Sequence, residues 1–225
     1  MAVSSKPLDE WLGTYGHQID DVRKALDWAF SPSGDPKLGV ALAAAALPLW
    51  MHLSLMNECR SRVEQAISCL PSGPDRSPRL EMQLFQALGA VLLTIEDSGF
   101  AAESALRRAL GIAESLDETD YQLRILWCSW AHALNRGAFS EALALADRFR
   151  HLATRSTDLF DPLNGERMRG FALHFLGDQD CCNHFGGNRR RCRVDVDESG
   201  LSRWNGDLRG DFFCRSPDVC QHRAV

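Results

Sequence analysis

Three glycine-centred turns recur at a nearly fixed interval in this chain: Gly99-Phe100, Gly137-Ala138-Phe139 and Gly177-Asp178, spaced by 38 and 40 residues. Apolar residues at helical spacing fill the intervals. A unit of that length holds two short helices and cannot bury its own apolar face. Units of this kind become stable only by stacking on one another, so the period itself predicts an all-α solenoid of antiparallel helix pairs. An irregular bundle of the same helices is the alternative.

The helices can be placed from their stripes and punctuation. Ile19, Val22, Leu26, Ala29 and Phe30 form the first stripe, and Ser31-Pro32-Ser33-Gly34 ends it. Asp35-Pro36 supplies an N-cap and a proline at the first helical position, where a missing N–H costs nothing. A long helix to about Leu55 is expected, interrupted at Pro48, with Asn57 capping the next. Ser77-Pro78 begins a helix with Leu84, Leu88, Val91 and Ile95; Asp97-Ser98-Gly99 turns it into a partner lined by Ala102, Ala105, Leu106, Ala109 and Ala113. Thr119 to Gln122 has the form of a capping box, in which each side chain satisfies an orphan backbone N–H. Leu123, Leu126, Trp127, Trp130 and Leu134 follow, then Ala142, Leu145, Ala146, Phe149 and Leu152 after Gly137. Asp161-Pro162 opens a last helix, which Gly177 ends as a left-handed C-cap.

Composition changes abruptly near residue 180. Residues 1–180 contain 24 Ala and 28 Leu; residues 181–225 contain one Ala and two Leu, with five of the eight Cys and eight Arg. The expected organisation is an extension over 1–18, a helical-repeat domain over 19–180, and a poorly ordered, irregular tail over 181–225. The change falls where an Ala- and Leu-rich return helix is due, so the tail reads as a frameshifted continuation of the repeats. A tail that folds on a partner is the alternative.

Ile19-Asp20-Asp21-Val22-Arg23-Lys24-Ala25-Leu26-Asp27-Trp28-Ala29-Phe30 resembles the junction in bacterial signal-transduction ATPases where the nucleotide-binding module meets a helical-repeat sensor. Leu47-Pro48-Leu49-Trp50 and the pairs up to Asp180 are similar to that family's repeat region. Trp127, Trp130, Ala131, Leu134, Gly137, Phe139 and Ala142 resemble the tetratricopeptide consensus. Such proteins often begin with a winged-helix DNA-binding domain and act as transcriptional regulators. This chain lacks a glycine-rich loop ending in Lys-Ser or Lys-Thr, which would cradle phosphates, and the 18 residues before Ile19 are too few for a winged helix. The resemblance therefore implies part of a sensor, without ATP hydrolysis or DNA binding.

Other chemistry has only weak support in the sequence. Cys181, Cys182, His184 and Cys192, with Cys214, Cys220 and His222, offer zinc-type ligands but not the usual C-x2-C spacing. Arg189-Arg190-Arg191-Cys192-Arg193 offers phosphate contacts, yet the net charge of −5 opposes general affinity for nucleic acid or anionic membrane. Cys128 and His132 share a helix face but have no evident third group to orient them. Val40 to Met56 is too short and too interrupted to span a bilayer. The expectation is a cytoplasmic, non-enzymatic interaction or regulatory scaffold with no cofactor. Its partner would be a protein or the missing ATPase and DNA-binding modules. Trp50, Arg124, Trp127, Trp130 and His174 are the candidate groove residues, with the inter-repeat core as the competing role for the tryptophans. A zinc- or nucleic-acid-binding tail on a small complete regulator is the alternative.

Overall fold

A computed structural model describes residues 13, 18–95 and 99–177. Among them the chain forms eight α-helices and no strand. They are α1 (Ile19–Ala29), α2 (Pro36–His52), α3 (Met56–Ser68), α4 (Pro78–Ile95), α5 (Gly99–Ser115), α6 (Thr119–Asn135), α7 (Phe139–Ala153) and α8 (Phe160–Phe175). Each helix packs on the next in sequence, and α4 also packs on α2 and α6. Glu81, early in α4, meets Arg108, late in α5. Farther along α4, a Cβ on Gly89 would lie 2.6 Å from Leu106 Cγ, earlier in α5. The two helices are therefore antiparallel. Asp147 and Arg150 of α7 reach Arg169 and Glu166 of α8 in the same reversed order.

The core runs along the chain in three successive groups. Leu26, Val40, Trp50, Val63 and Leu84 join α1 to α4. Met82, Leu106, Ala109 and Ile125 join α4, α5 and α6. Leu126, Trp130, Phe149 and Met168 join α6, α7 and α8. Buried positions recur: Ala102, Leu106, Ala109 and Ala113 of α5 are matched 40 residues later by Ala142, Ala146, Phe149 and Ala153 of α7. The alanines among them let the backbones approach closely, and Leu106 and Phe149 fill the space between.

Three buried polar residues lie near the starts of alternate helices. Glu81, Gln122 and Asp161 sit in the first turns of α4, α6 and α8. Each ties its helix to neighbouring structure. Glu81 accepts from Arg76 and from Arg108. Gln122 donates to the Ala113 carbonyl at the end of α5. Asp161 accepts from Ser156 Oγ just before α8. Burial by itself would raise the Glu81 carboxyl, but the two arginines more than offset this and hold it below the usual carboxylate range. Polar pairs also link segments distant in sequence. Lys37 donates to Asp75 at 2.7 Å and Gln83 to Tyr121 at 2.8 Å, while Arg155 reaches both Asp117 oxygens at 2.9 Å; each pair is 38 residues apart. Arg148 of α7 pairs with Glu114 of α5.

Several helix ends differ from the sequence reading. Asp35 caps α2 as expected, accepting from Lys37 N and Leu38 N, with Pro36 at the first position. That helix continues past Pro48 but stops at His52, short of Leu55. Asn57 lies inside α3, whose N-cap is Leu55. Thr119 forms no capping box, because Glu118 holds the N-cap position and Gln122 turns to Ala113. Gly99 is the first residue of α5 and not its preceding turn; Asp97 and Ser98 lie outside the described residues. The last helix starts at Phe160, whose N–H bonds Asp158 Oδ1, so Asp161 is already within it. Gly137 and Gly177 do take the left-handed conformation, at φ 76° and 85°. No helix is long and apolar enough to cross a membrane among the described residues. The expectations for 1–12 and for the tail beyond Gly177 lie outside them.

Candidate interaction surface

Alternate helices α4, α6 and α8 carry a row of polar and aromatic side chains along one side. On α6, Tyr121, Arg124 and Trp127 are spaced by three, which places them on a common face. The Tyr121 hydroxyl accepts from Gln83 Nε2 on α4. The Arg124 guanidinium stands 5.4 Å from the Tyr121 ring centre. On α8, the Arg167 guanidinium stands 5.4 Å from the Trp127 ring centre. Both distances are within cation–π range, which braces the two cations against aromatic surfaces. The row runs Gln83, Tyr121, Arg124, Trp127, Arg167 across three helices.

The five residues singled out from sequence divide between this row and the core. Arg124 and Trp127 belong to the row, Arg124 half-buried and Trp127 only 6 % exposed. Trp50 is fully buried, and its Nε1 donates to Glu58 Oε1 at 3.3 Å. Trp130 is 1 % exposed and packs between Trp127 and Phe171, with ring centres 5.1 and 6.4 Å away. Neither Trp50 nor Trp130 offers a surface on which a ligand can rest. His174 is exposed at the end of α8, with its ring edge-on to Phe175 at 5.6 Å. Gln83, Tyr121 and Arg167 were missed. The period itself points to them, because Gln83 and Tyr121 are 38 residues apart and Trp127 and Arg167 are 40 apart.

The Cys128 and His132 pair does not form a nucleophilic couple. Burial pushes the Cys128 thiol up to about 12, so the reactive thiolate is scarce near neutral pH. The His132 ring instead packs on the start of α5, where a Cβ on Gly99 would lie 2.0 Å from it. Burial, and then Arg136, lower its pKa; Glu103 and Glu141 oppose them. Among the described residues no group of three His, Cys, Asp or Glu is placed to hold a metal ion. The Cys- and Arg-rich candidates at 181–222 lie outside those residues. A small cleft between α2 and the segment before α4 is lined by Lys37, Val40, Leu70, Pro71 and Asp75, with the Lys37–Asp75 ion pair at its rim. No family model, curated protein or solved structure matches this chain.

Proposed function

We propose that residues 19–180 are a tetratricopeptide-like solenoid that serves as a non-catalytic interaction scaffold, and that the chain is a cytoplasmic fragment of a bacterial ATPase-type transcriptional regulator. The observation that carries the scaffold reading is the recurrence of a buried polar residue in the first turns of α4, α6 and α8: Glu81, Gln122 and Asp161. A buried polar residue repeated in the first turns of alternate helices is a regularity that a stack of like helix pairs accounts for and that an irregular bundle has no reason to produce. In such a stack α4, α6 and α8 line one continuous wall. Gln83, Tyr121, Arg124 and Arg167 would be its contact surface, backed by the buried Trp127, with the two guanidinium groups meeting acidic groups on a protein partner. The family assignment rests on the likeness of the segment around Ile19 to Phe30.

The test is assembly with separately expressed nucleotide-binding and winged-helix modules of such a regulator. Co-elution in size-exclusion chromatography, lost in the double variant Arg124→Glu, Arg167→Glu, is the expected result. Absence of any complex overturns the partner assignment. A compact, near-spherical envelope in small-angle X-ray scattering overturns the solenoid.

A further inference from the structure

Ion pairs join the starts of alternate helices in series. Lys37, the second residue of α2, pairs at 2.7 Å with Asp75, which lies shortly before α4. Arg79, the second residue of α4, pairs at 2.9 Å with Glu118 at the N-cap of α6. Arg155, between α7 and α8, reaches both oxygens of Asp117 at 2.9 Å. The middle of this series is a single turn. Asp117 and Glu118 are adjacent, yet they face opposite neighbours: Glu118 reaches back to α4, and Asp117 reaches forward to the segment before α8. Asp117 stands in the left-handed conformation at φ 53°. Glu118 makes no side-chain capping bond to its own helix, so its carboxylate serves Arg79.

The same turn adjoins the polar and aromatic row. Tyr121 lies three residues beyond Glu118, and Gln83 lies four residues beyond Arg79. The Arg79–Glu118 ion pair and the Gln83–Tyr121 hydrogen bond therefore join the same two helices about one turn apart. A displacement that separates the first pair stretches the second. Arg79, Arg155 and Asp117 are 62, 55 and 70 % exposed. Pairs this open add little to global stability and are screened by salt. The groups of Leu106, Ile125, Trp130 and Phe149 behind them are apolar and have no charge to screen.

We infer that the turn at Asp117 and Glu118 is an ionic clamp that holds the starts of α4, α6 and α8 together, and that releasing it with salt loosens the spacing of the contact row. The inference rests on the scaffold reading above and names a way in which that row is regulated. The clamp is a conformational device: salt acts on the alignment of the helices that carry Gln83 and Tyr121, in addition to any screening of the row's own cations.

Hydrogen exchange read by mass spectrometry on the full chain tests the clamp with no partner present. The reporters are the amides of residues 81–84 and 122–125, where the helical hydrogen bonds of α4 and α6 begin with Glu81 N–H to the Ser77 carbonyl and Gln122 N–H to the Glu118 carbonyl. Raising sodium chloride from about 0.01 to about 1 M shortens the screening length from about 30 to about 3 Å. These amides should then exchange about two- to fivefold faster, in keeping with the modest strength of exposed pairs. Amides 91–95 and 131–135, at the far ends of the same helices, should not change. Asp117→Asn with Glu118→Gln should give the fast exchange already at low salt and remove the salt response. Arg79→Glu alone should lose protection, and adding Glu118→Arg, which re-forms the pair in reverse, should restore it. Exchange at 81–84 and 122–125 that is indifferent to salt overturns the clamp, as does failure of the reversed pair to restore protection. A uniform rise along every helix also overturns it, because that reports a change in global stability. The stacked-unit reading fails separately, through a near-spherical scattering envelope.

Discussion

Arg23 on α1 holds Glu58 on α3 through two hydrogen bonds, 2.9 Å from Nε and 2.5 Å from a terminal nitrogen. The same carboxylate accepts from Trp50 Nε1 on α2, so one side chain joins three helices. The hydrogen bond from Arg23 is the main reason the Glu58 carboxyl sits below its ordinary value; burial opposes it, and Trp50 adds to it. Glu58→Leu would leave the buried Trp50 N–H without its acceptor and should cost about 2–3 kcal/mol. Glu58→Gln retains an acceptor and should cost about 1 kcal/mol. Urea unfolding midpoints separate them, and equal losses would show that the Trp50 bond contributes nothing.

Two helical glycines should respond with opposite sign to the same substitution. A Cβ at Gly89 would meet Leu106 Cγ at 2.6 Å and Cδ2 at 2.7 Å, with the Ala102 carbonyl at 3.2 Å. Gly89→Ala should destabilise by about 1–3 kcal/mol through overpacking of α4 against α5. Gly111 lies within α5 with nothing inside 4 Å of its Cβ position. There alanine gains helix propensity, worth about 0.5–1 kcal/mol. Thermal midpoints moving in the same direction for both would contradict the close α4–α5 approach.

Much of this architecture was legible in the sequence, because amphipathic stripes and glycine turns carry it. Leu26, Ala102, Ala109, Ala142 and Phe149 are buried where the stripes put them. Helix ends were less legible for a definite reason. Ser54 and Asp117 adopt left-handed φ of 56° and 53° at the turns before α3 and α6. These are roles that the pattern rules assign to glycine. Asn57 and Thr119, chosen as caps by residue type, consequently fall inside their helices. The burial of Glu81, Gln122 and Asp161 was invisible for the opposite reason, since polar residues read as surface unless their partners are known. Trp50 and Trp130 illustrate the limit for site reading. Helical spacing places an aromatic residue on a face, but it does not say whether another helix covers that face.

Acidification should weaken the fold in two steps. His52 and His132 have lowered pKa values in the folded chain, chiefly through burial. Below about 6.5 the unfolded chain takes up protons at these positions while the folded chain resists, so stability falls as pH drops through this window. Glu58 and Glu81 are also depressed when folded. Their contribution is present above the unfolded value near 4.5 and is lost as pH falls through the folded value. Urea midpoints should decline from pH 7 to 5, and again below pH 4.5. His132→Gln should flatten the first decline. A pH-independent midpoint between 7 and 5 would contradict the depressed histidines.

Trp50 and Trp130 provide a matched test of what an indole N–H contributes. They are 0 and 1 % exposed, so truncation to phenylalanine removes similar buried area from each. Their polar atoms differ. Trp50 Nε1 donates to Glu58, whereas Trp130 Nε1 is buried without a hydrogen-bond partner. An unmet buried donor costs about 1–3 kcal/mol, and deleting it returns that amount. Removing part of a core aromatic ring costs a comparable amount through lost contacts and a residual cavity. For Trp130→Phe the two effects oppose each other, and the net change should stay within about 1 kcal/mol. For Trp50→Phe they add, because the Glu58 carboxylate also loses a donor, and the loss should reach about 2–4 kcal/mol. Denaturation of the two variants under identical conditions provides the comparison. Equal losses would mean that the Trp130 donor is satisfied in solution, and that the difference between the two indoles does not affect stability.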